Sequence, residues 1–272
     1  MKKTHRILLL LAILATSLLG GCTKKNTGNI YKLTEFLDDE TYGMYIDGDD
    51  DLFNKLGIFK DKLMNSSDEI RYYSYAENCI EVISLDIPDE CVINSGNEFE
   101  SESRYELEGD SVTCVNAIQV SDNFFSLFPI EITEGREFND DDRNYQNSEF
   151  IPVILGNRYR DILKVGSTFE GYYILEKRTF KVVGFAGDSD FYLSSQNSMV
   201  SYNNYIVMPF MNVENDSFVA RAVLLQQVAG YVEYKENGEK ALGIINKYLE
   251  EAGLGDWAGS FCFQNKELTT NR

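Results

Sequence analysis

Apolar positions along the chain follow two periods. Leu52, Phe53, Leu56, Phe59 and Leu63 recur at helical spacing behind "GDDD" (48–51). They predict an amphipathic helix over 50–64, with acidic residues at the N-terminal turn, where the dipole favours them. Ala241, Ile244, Ile245, Tyr248 and Leu249 share one face and predict a second helix within 236–253. Aromatic and β-branched runs predict strands at 41–46, 105–120, 151–156, 172–175, 178–187, 204–210, 220–234 and 259–264. "EIRYYSYAENCIEVISL" (69–85) reads as one strand or a bent pair. Residues 86–104 are polar and irregular, a variable loop, and Gly166 and Gly171 fall at turns.

The order is β-α-β early, many strands in the middle and β-α-β at the end. An α+β fold follows, in which both chain ends build one mixed lobe and a small β-rich lobe is inserted between them.

The first residues change the picture of location. Lys2, Lys3 and Arg6 precede an apolar run, Ile7 to Leu19, that is shorter than the about 20 residues a membrane span needs. Leu19-Gly20-Gly21-Cys22 resembles the bacterial lipobox, in which the thiol of Cys22 would be diacylated with palmitate-type chains and become the first mature residue. A short uncleaved anchor is the alternative. The expected division is a lipoprotein signal peptide at 1–21, a flexible tether at 22–40, a core domain at 41–265 and a tail at 266–272. The expected site is the outer face of the cell membrane.

Without the signal's three basic residues, 22 basic side chains face 44 acidic ones, a formal charge of −22. Such a surface repels nucleic acid phosphates and suits an ionic exterior. Four cysteines follow Cys22: Cys79, Cys91, Cys114 and Cys262. An even count outside the cytoplasm allows disulfides, and Cys79 and Cys91 are closest in sequence and could clip a hairpin. Their spacing is not a metal-ligand pattern, so no metal site is expected.

The stretch "SDNFFSLFPIEITEGREFNDDD" (121–142) concentrates Phe124, Phe125 and Phe128 where a short helix, 122–128, can bury an aromatic edge. Ser121 would cap that helix and Pro129 stop it. Gly135 permits a backbone turn, and Arg136 could bond carbonyls or pair with a neighbouring acid. With "IPVILGNRY", "KVGSTFE", "FKVVGF" and "YNNYIVMPF", this stretch resembles, in order and spacing over about 115–210, the MacB-like periplasmic core domain, the extracytoplasmic domain of FtsX/MacB-type ABC transporter permeases. The resemblance implies a two-lobed plan and a scaffold role for Phe124, Phe125, Phe128, Gly135, Arg136, Gly156, Gly166, Gly184 and Pro209. Such permeases begin with a transmembrane helix and continue into three more. Here the start reads as a lipoprotein signal, and no later run is long and apolar enough to span a membrane.

Catalytic chemistry is restricted by composition. His5 is the one histidine and lies in the expected signal peptide, which leaves the mature chain without Ser-His-Asp or Cys-His catalysis. "GDSD" (187–190) resembles the nucleophile block of GDSL-type hydrolases, which need a histidine base, and reads instead as a turn. The acidic clusters at 47–51 and 140–142 lack an EF-hand register and read as caps and loops. Tyrosines 172, 173, 192, 202 and 205 crowd the middle lobe, where about half would be core. No phosphate-binding glycine loop is present, and no cofactor is expected. The expectation is a non-enzymatic, lipid-anchored binding protein, with the membrane and an ABC permease complex or another protein as partners. Alternatives are a solute-binding lipoprotein and a fragment of a split permease.

Overall fold

The computed structural model describes residues 29–66, 68–143, 149–188, 190–193, 198–213 and 215–264. The chain opens with β1 (Asn29–Glu35), α1 (Asp39–Ile46), α2 (Asp50–Met64), β2 (Arg71–Tyr73) and β3 (Tyr75–Ile83). Next come β4 (Arg104–Leu107), β5 (Asp110–Val120), α3 (Phe124–Leu127), β6 (Ile132–Gly135), α4 (Asp140–Arg143), β7 (Ile151–Leu155), β8 (Thr168–Tyr173) and β9 (Glu176–Ala186). The hairpin β10 (Asp190–Leu193) and β11 (Ser198–Ser201) precedes β12 (Ile206–Pro209), α5 (Phe218–Gln227), β13 (Tyr231–Tyr234), α6 (Gly238–Glu251) and β14 (Phe261–Phe263).

Helix starts follow side-chain caps. Asp38 accepts from the Thr41 amide at 2.8 Å, Asp49 from Leu52 at 3.0 Å, Ser217 from Ala220 at 3.2 Å and Asn237 from Lys240 at 3.0 Å. Each satisfies an amide that the helix itself leaves unpaired. These caps overturn two strand expectations. Residues 41–46 belong to α1, behind Asp38. The run 220–234 divides into α5 and β13, with a tight passage at Gly230, where a Cβ would stand 2.3 Å from the Tyr73 carbonyl. A short apolar run fits buried helix and buried strand equally well.

The two chain ends build an antiparallel sheet in the order β14-β1-β13-β2. Its core joins Leu33, Tyr45, Leu56, Phe59, Leu224, Val232, Ile245 and Trp257. Residues 29–35, within the tether expected over 22–40, are instead the strand β1, with Ile30, Tyr31 and Leu33 buried. The expected signal peptide, Cys22 and the C-terminal tail 266–272 lie outside the described residues. Among the described residues, no helix is long and apolar enough to cross a membrane.

The inserted lobe is the larger one, with 8 strands in its sheet against 4. Strands β12, β7, β9, β8, β3 and β5 pair in that order, and β12 pairs in parallel with β5 to close the ring into a barrel. Ile80 and Val82 of β3, Val115 and Ala117 of β5, Val153 of β7, Phe180 of β9 and Met208 of β12 fill the interior. Strand alternation then turns Glu77, Cys79 and Glu81 outward.

Outside the barrel, Phe124, Phe128 and Ile130 pack with Tyr75 and Tyr231 in a third cluster that joins the lobes. Phe124 and Phe128 stand 5.1 Å apart, and Phe125 stacks on Phe138. Gly135 has φ +77, and a Cβ there would meet the Val183 carbonyl at 2.3 Å. Arg136 forks onto the Asp142 carboxylate and donates to the Glu137 carbonyl. Gly184 lies against the Arg136 backbone, Gly166 makes an open turn at φ +89, and Pro209 ends β12. The stretch 121–142 thus lies between the barrel and the neighbouring lobe.

Candidate functional site: a groove between the lobes

Helix α5 is held against the barrel by buried amides. Gln227 donates to Gln119 at 2.5 Å and to the Met211 carbonyl at 2.7 Å, and Gln119 donates to the Tyr173 hydroxyl at 2.6 Å. The Gln227 carbonyl accepts from Tyr72 and Ser74 at 2.7 and 2.9 Å. Burial makes such a network specific, because a broken bond leaves a polar group dry.

Leu224 and Leu225 of α5 enter the mixed lobe's core, Ala222 packs at its edge, and Val219, Ala222, Val223 and Gln226 line the groove. Opposite them stand Glu77, Asn78, Cys79 and Glu81 of β3 with Asn116 of β5, enclosing a groove of about 390 Å³. One wall is apolar, the other polar and acidic. Ile93 and Asn94 close one side, and the tip of the β8–β9 hairpin, Ile174-Leu175, closes another.

That tip is strained. A two-residue hairpin turn of type I′ needs positive φ at both central positions, which is why Asn-Gly dominates there. Here the residues are Ile174 at φ 51 and Leu175 at φ 63. A non-glycine residue held in this region costs about 1–3 kcal/mol. Leu175 is nonetheless 58% exposed, and Phe218, which precedes groove residue Val219, is 62% exposed. Ile174 packs against the barrel core, which accounts for its apolar side chain, whereas the exposed Leu175 is not part of that core and calls for a reason other than folding.

The cysteines occupy three environments, and all four thiols are free. Cys91 is buried inside the barrel beside Tyr159, and burial pushes its thiol up to about 11. Cys79 and Cys91 lie on opposite faces of the barrel wall, because Cys79 shares the outward face of Glu81; no hairpin clip joins them. Cys262 is half-buried on β14, its thiol also raised by burial. Cys114 stands beside Cys79 and Glu81, with their ligand atoms all within 4.8 Å of one another. The Cys114 thiol is pushed up first by its hydrogen bond to Cys79, then by burial and by the Glu81 charge. Burial raises Glu81 itself, although the Tyr105 hydroxyl donates to its carboxylate at 3.2 Å.

Lys32 is a further charged group at the junction. It is 5% exposed, donates to the Ala229 carbonyl and lies near the rings of Tyr75 and Tyr231 at 5.1 and 4.8 Å. Burial lowers its pKa from 10.5 to about 7, against the pull of Glu77 and Glu35. Above pH 7 the unfolded chain holds more protons than the folded one, so stability rises with pH. Between pH 7 and 8.5 the gain is about 1.5 kcal/mol. Above that range the raised thiols Cys91 and Cys114 begin to oppose it. Urea midpoints across this range are expected to climb in the wild type and stay flat in Lys32→Met.

The acidic clusters have internal partners. Asp49 caps α2, Asp50 pairs with Arg221 at 2.7 Å, Asp51 with Lys55 at 2.6 Å and Asp142 with Arg136. At "GDSD", Asp188 accepts from Asn203 at 2.7 Å. Tyr172, Tyr173 and Tyr202 are buried, Tyr205 donates to Glu77 at 3.0 Å, and the Tyr192 side chain lies outside the described residues. A smaller cavity of about 270 Å³ lies between Phe125, Glu137, Phe138 and Pro209. Neither the groove's helical wall nor the Cys79–Glu81–Cys114 group was expected from the sequence. The signal for the first was Ser217 ahead of an apolar run. For the second it was the register of β3 against β5.

Residues 66–238 match the family model of the MacB-like periplasmic core domain. Among solved structures, the periplasmic region of MacB from Actinobacillus actinomycetemcomitans is similar at 13% identity, over 90% of this chain and 92% of that one, with a TM-score of 0.43. The extracellular domain of the noncanonic ABC-type transporter YknZ from Gram-positive bacteria is similar at 13% identity, over 87% and 100%, with a TM-score of 0.38. No curated protein matches the chain.

Proposed function

The chain belongs to the MacB-like periplasmic core domain family, an extracytoplasmic, transporter-related domain, and on that footing we propose that it is a non-catalytic binding protein that engages an ABC permease complex. A lipid on Cys22 holds it at the outer face of the membrane. The partner's segment enters the groove between α5 and β3, and the Ile174-Leu175 tip makes the central apolar contact.

The strained tip, with Leu175 exposed on it, carries this reading. Backbone strain of this kind gathers at ligand clamps and switch regions, and a half-exposed leucine beside an apolar helix face is suited to bury against protein. The acidic wall, with Glu77 and Glu81, favours a partner segment bearing a basic group.

Leu175→Gly separates stability from function. Glycine relieves the positive φ, so the melting temperature is expected to stay level or rise. Recovery of the permease by affinity capture from the protein's own cells is expected to fall about tenfold, the loss of roughly 1.4 kcal/mol. Cys22→Ala is expected to move the protein from the membrane fraction to the soluble one. Undiminished permease recovery with Leu175→Gly would remove the tip from the interface. Absence of any permease, with a thermal shift on adding a small solute, would favour a solute-delivering lipoprotein.

A further inference from the structure

We propose that Cys79, Glu81 and Cys114 form a site for a thiophilic divalent metal ion of the zinc class, at the polar wall of the groove. The site follows from strand register. Cys79 and Glu81 are two residues apart on β3, so both project from the same face. Glu81 lies directly opposite Cys114 on β5, which sets Cys114 diagonal to Cys79. The two sulfurs and the carboxylate oxygen then lie within 4.8 Å of one another.

Two thiolates bound at about 2.3 Å with a tetrahedral angle stand roughly 3.8 Å apart. Small side-chain rotations therefore suffice. The donor set selects the ion: thiolates disfavour magnesium and calcium, and a carboxylate beside them suits zinc. Three protein ligands leave a fourth position, as in zinc sites that exchange a water or another ligand. Cys79 and Glu81 line the groove, so that position opens to its contents. Tyr105, donating to Glu81 from β4, supplies the outer contact that orients a ligating carboxylate. Binding exchanges the protons of two thiols, released to solvent, for one divalent cation. The site stands whether or not the groove receives a protein partner.

The test uses the full chain, reduced with a phosphine and then dialysed against zinc chloride alone or cobalt(II) chloride alone. One ion per chain is expected, and bound cobalt should show the intense near-ultraviolet absorption of thiolate-to-metal charge transfer. The Cys79→Ser/Cys114→Ser variant should lose affinity by on the order of a hundredfold or more, and Glu81→Gln by about tenfold. Cys91→Ser and Cys262→Ser should bind as wild type, and melting curves of every variant identify losses that are merely unfolding. Uptake that is absent, not one ion per chain, or equal in a folded double serine variant would overturn the proposal. So would mass spectrometry showing a Cys79–Cys114 disulfide in protein isolated from its cells, which would make the pair a covalent staple instead.

Discussion

Gly156→Ala is expected to lower the melting temperature by about 6–12 °C, from a loss of about 3 kcal/mol in a chain of this size. The cause is space and not backbone freedom, because φ −63 and ψ 159 suit any residue. A Cβ at Gly156 would lie 2.1 Å from the Asn203 carbonyl oxygen and 2.3 Å from that of Tyr202. These are backbone atoms in a tight turn, so no side chain can rotate aside. The turn is pinned as well: the Gly156 amide donates to the Tyr205 carbonyl at 2.9 Å, and the buried Tyr202 hydroxyl donates to the Phe128 carbonyl at 3.1 Å. Moving 202–203 would loosen the link between β7, β12 and the aromatic stretch. Gly166→Ala is the contrast. Its surroundings are open and only φ +89 opposes a side chain, so a cost of about 1–2 kcal/mol is expected. Paired thermal melts decide. Equal costs would refute the steric account.

Arg221→Ala is expected to cost about 3–5 kcal/mol. The side chain is 1% exposed and lies near the rings of Tyr45 and Phe53. Its guanidinium donates to the carbonyls of Asp216, Tyr45 and Asp49 at 2.9, 3.1 and 2.8 Å, and to the Asp50 carboxylate at 2.7 Å. It therefore ties the end of α1, the start of α2 and the approach to α5 to one group. Truncation removes four donated hydrogen bonds at once, although the Asp49 carbonyl keeps the Phe53 amide at 3.1 Å, and opens a void. Lysine cannot reproduce the fork, so Arg221→Lys should recover less than half of the loss. Asp50 is exposed, and Asp50→Ala should cost under about 1 kcal/mol. Urea midpoints of the three variants test the ranking; Asp50→Ala matching Arg221→Ala would assign the stability to the ion pair.

These two positions also show how far the sequence could be read. The helix 50–64 was legible because its apolar spacing and Asp49 cap agree. Residues 220–227 were not, because a run of alanine, valine and leucine carries no period that separates helix from strand, and the Arg221 anchor acts through residues about 170 positions away. The bend in 69–85 was legible as an alternative, and it falls at Ser74, between β2 and β3. Closure of the barrel depends on the parallel pairing of Ile206 with Ala117, a contact between distant segments with no local signal. The Cys79–Glu81–Cys114 group was hidden for the same reason. Pairing neighbours in sequence selected Cys79 with Cys91, whereas strand register selects Cys114.

The claim that the groove is the binding surface is tested most directly by crosslinking in living cells. A photoactivatable residue at Ala222, on the groove wall, is compared with one at Ile58, which is exposed on α2 outside the groove. Crosslinks to an ABC permease subunit from position 222, absent from position 58 and lost when Leu175→Gly is added, are the expected result. Equal permease crosslinks from both positions, or none from position 222 while the permease still co-purifies, would contradict it.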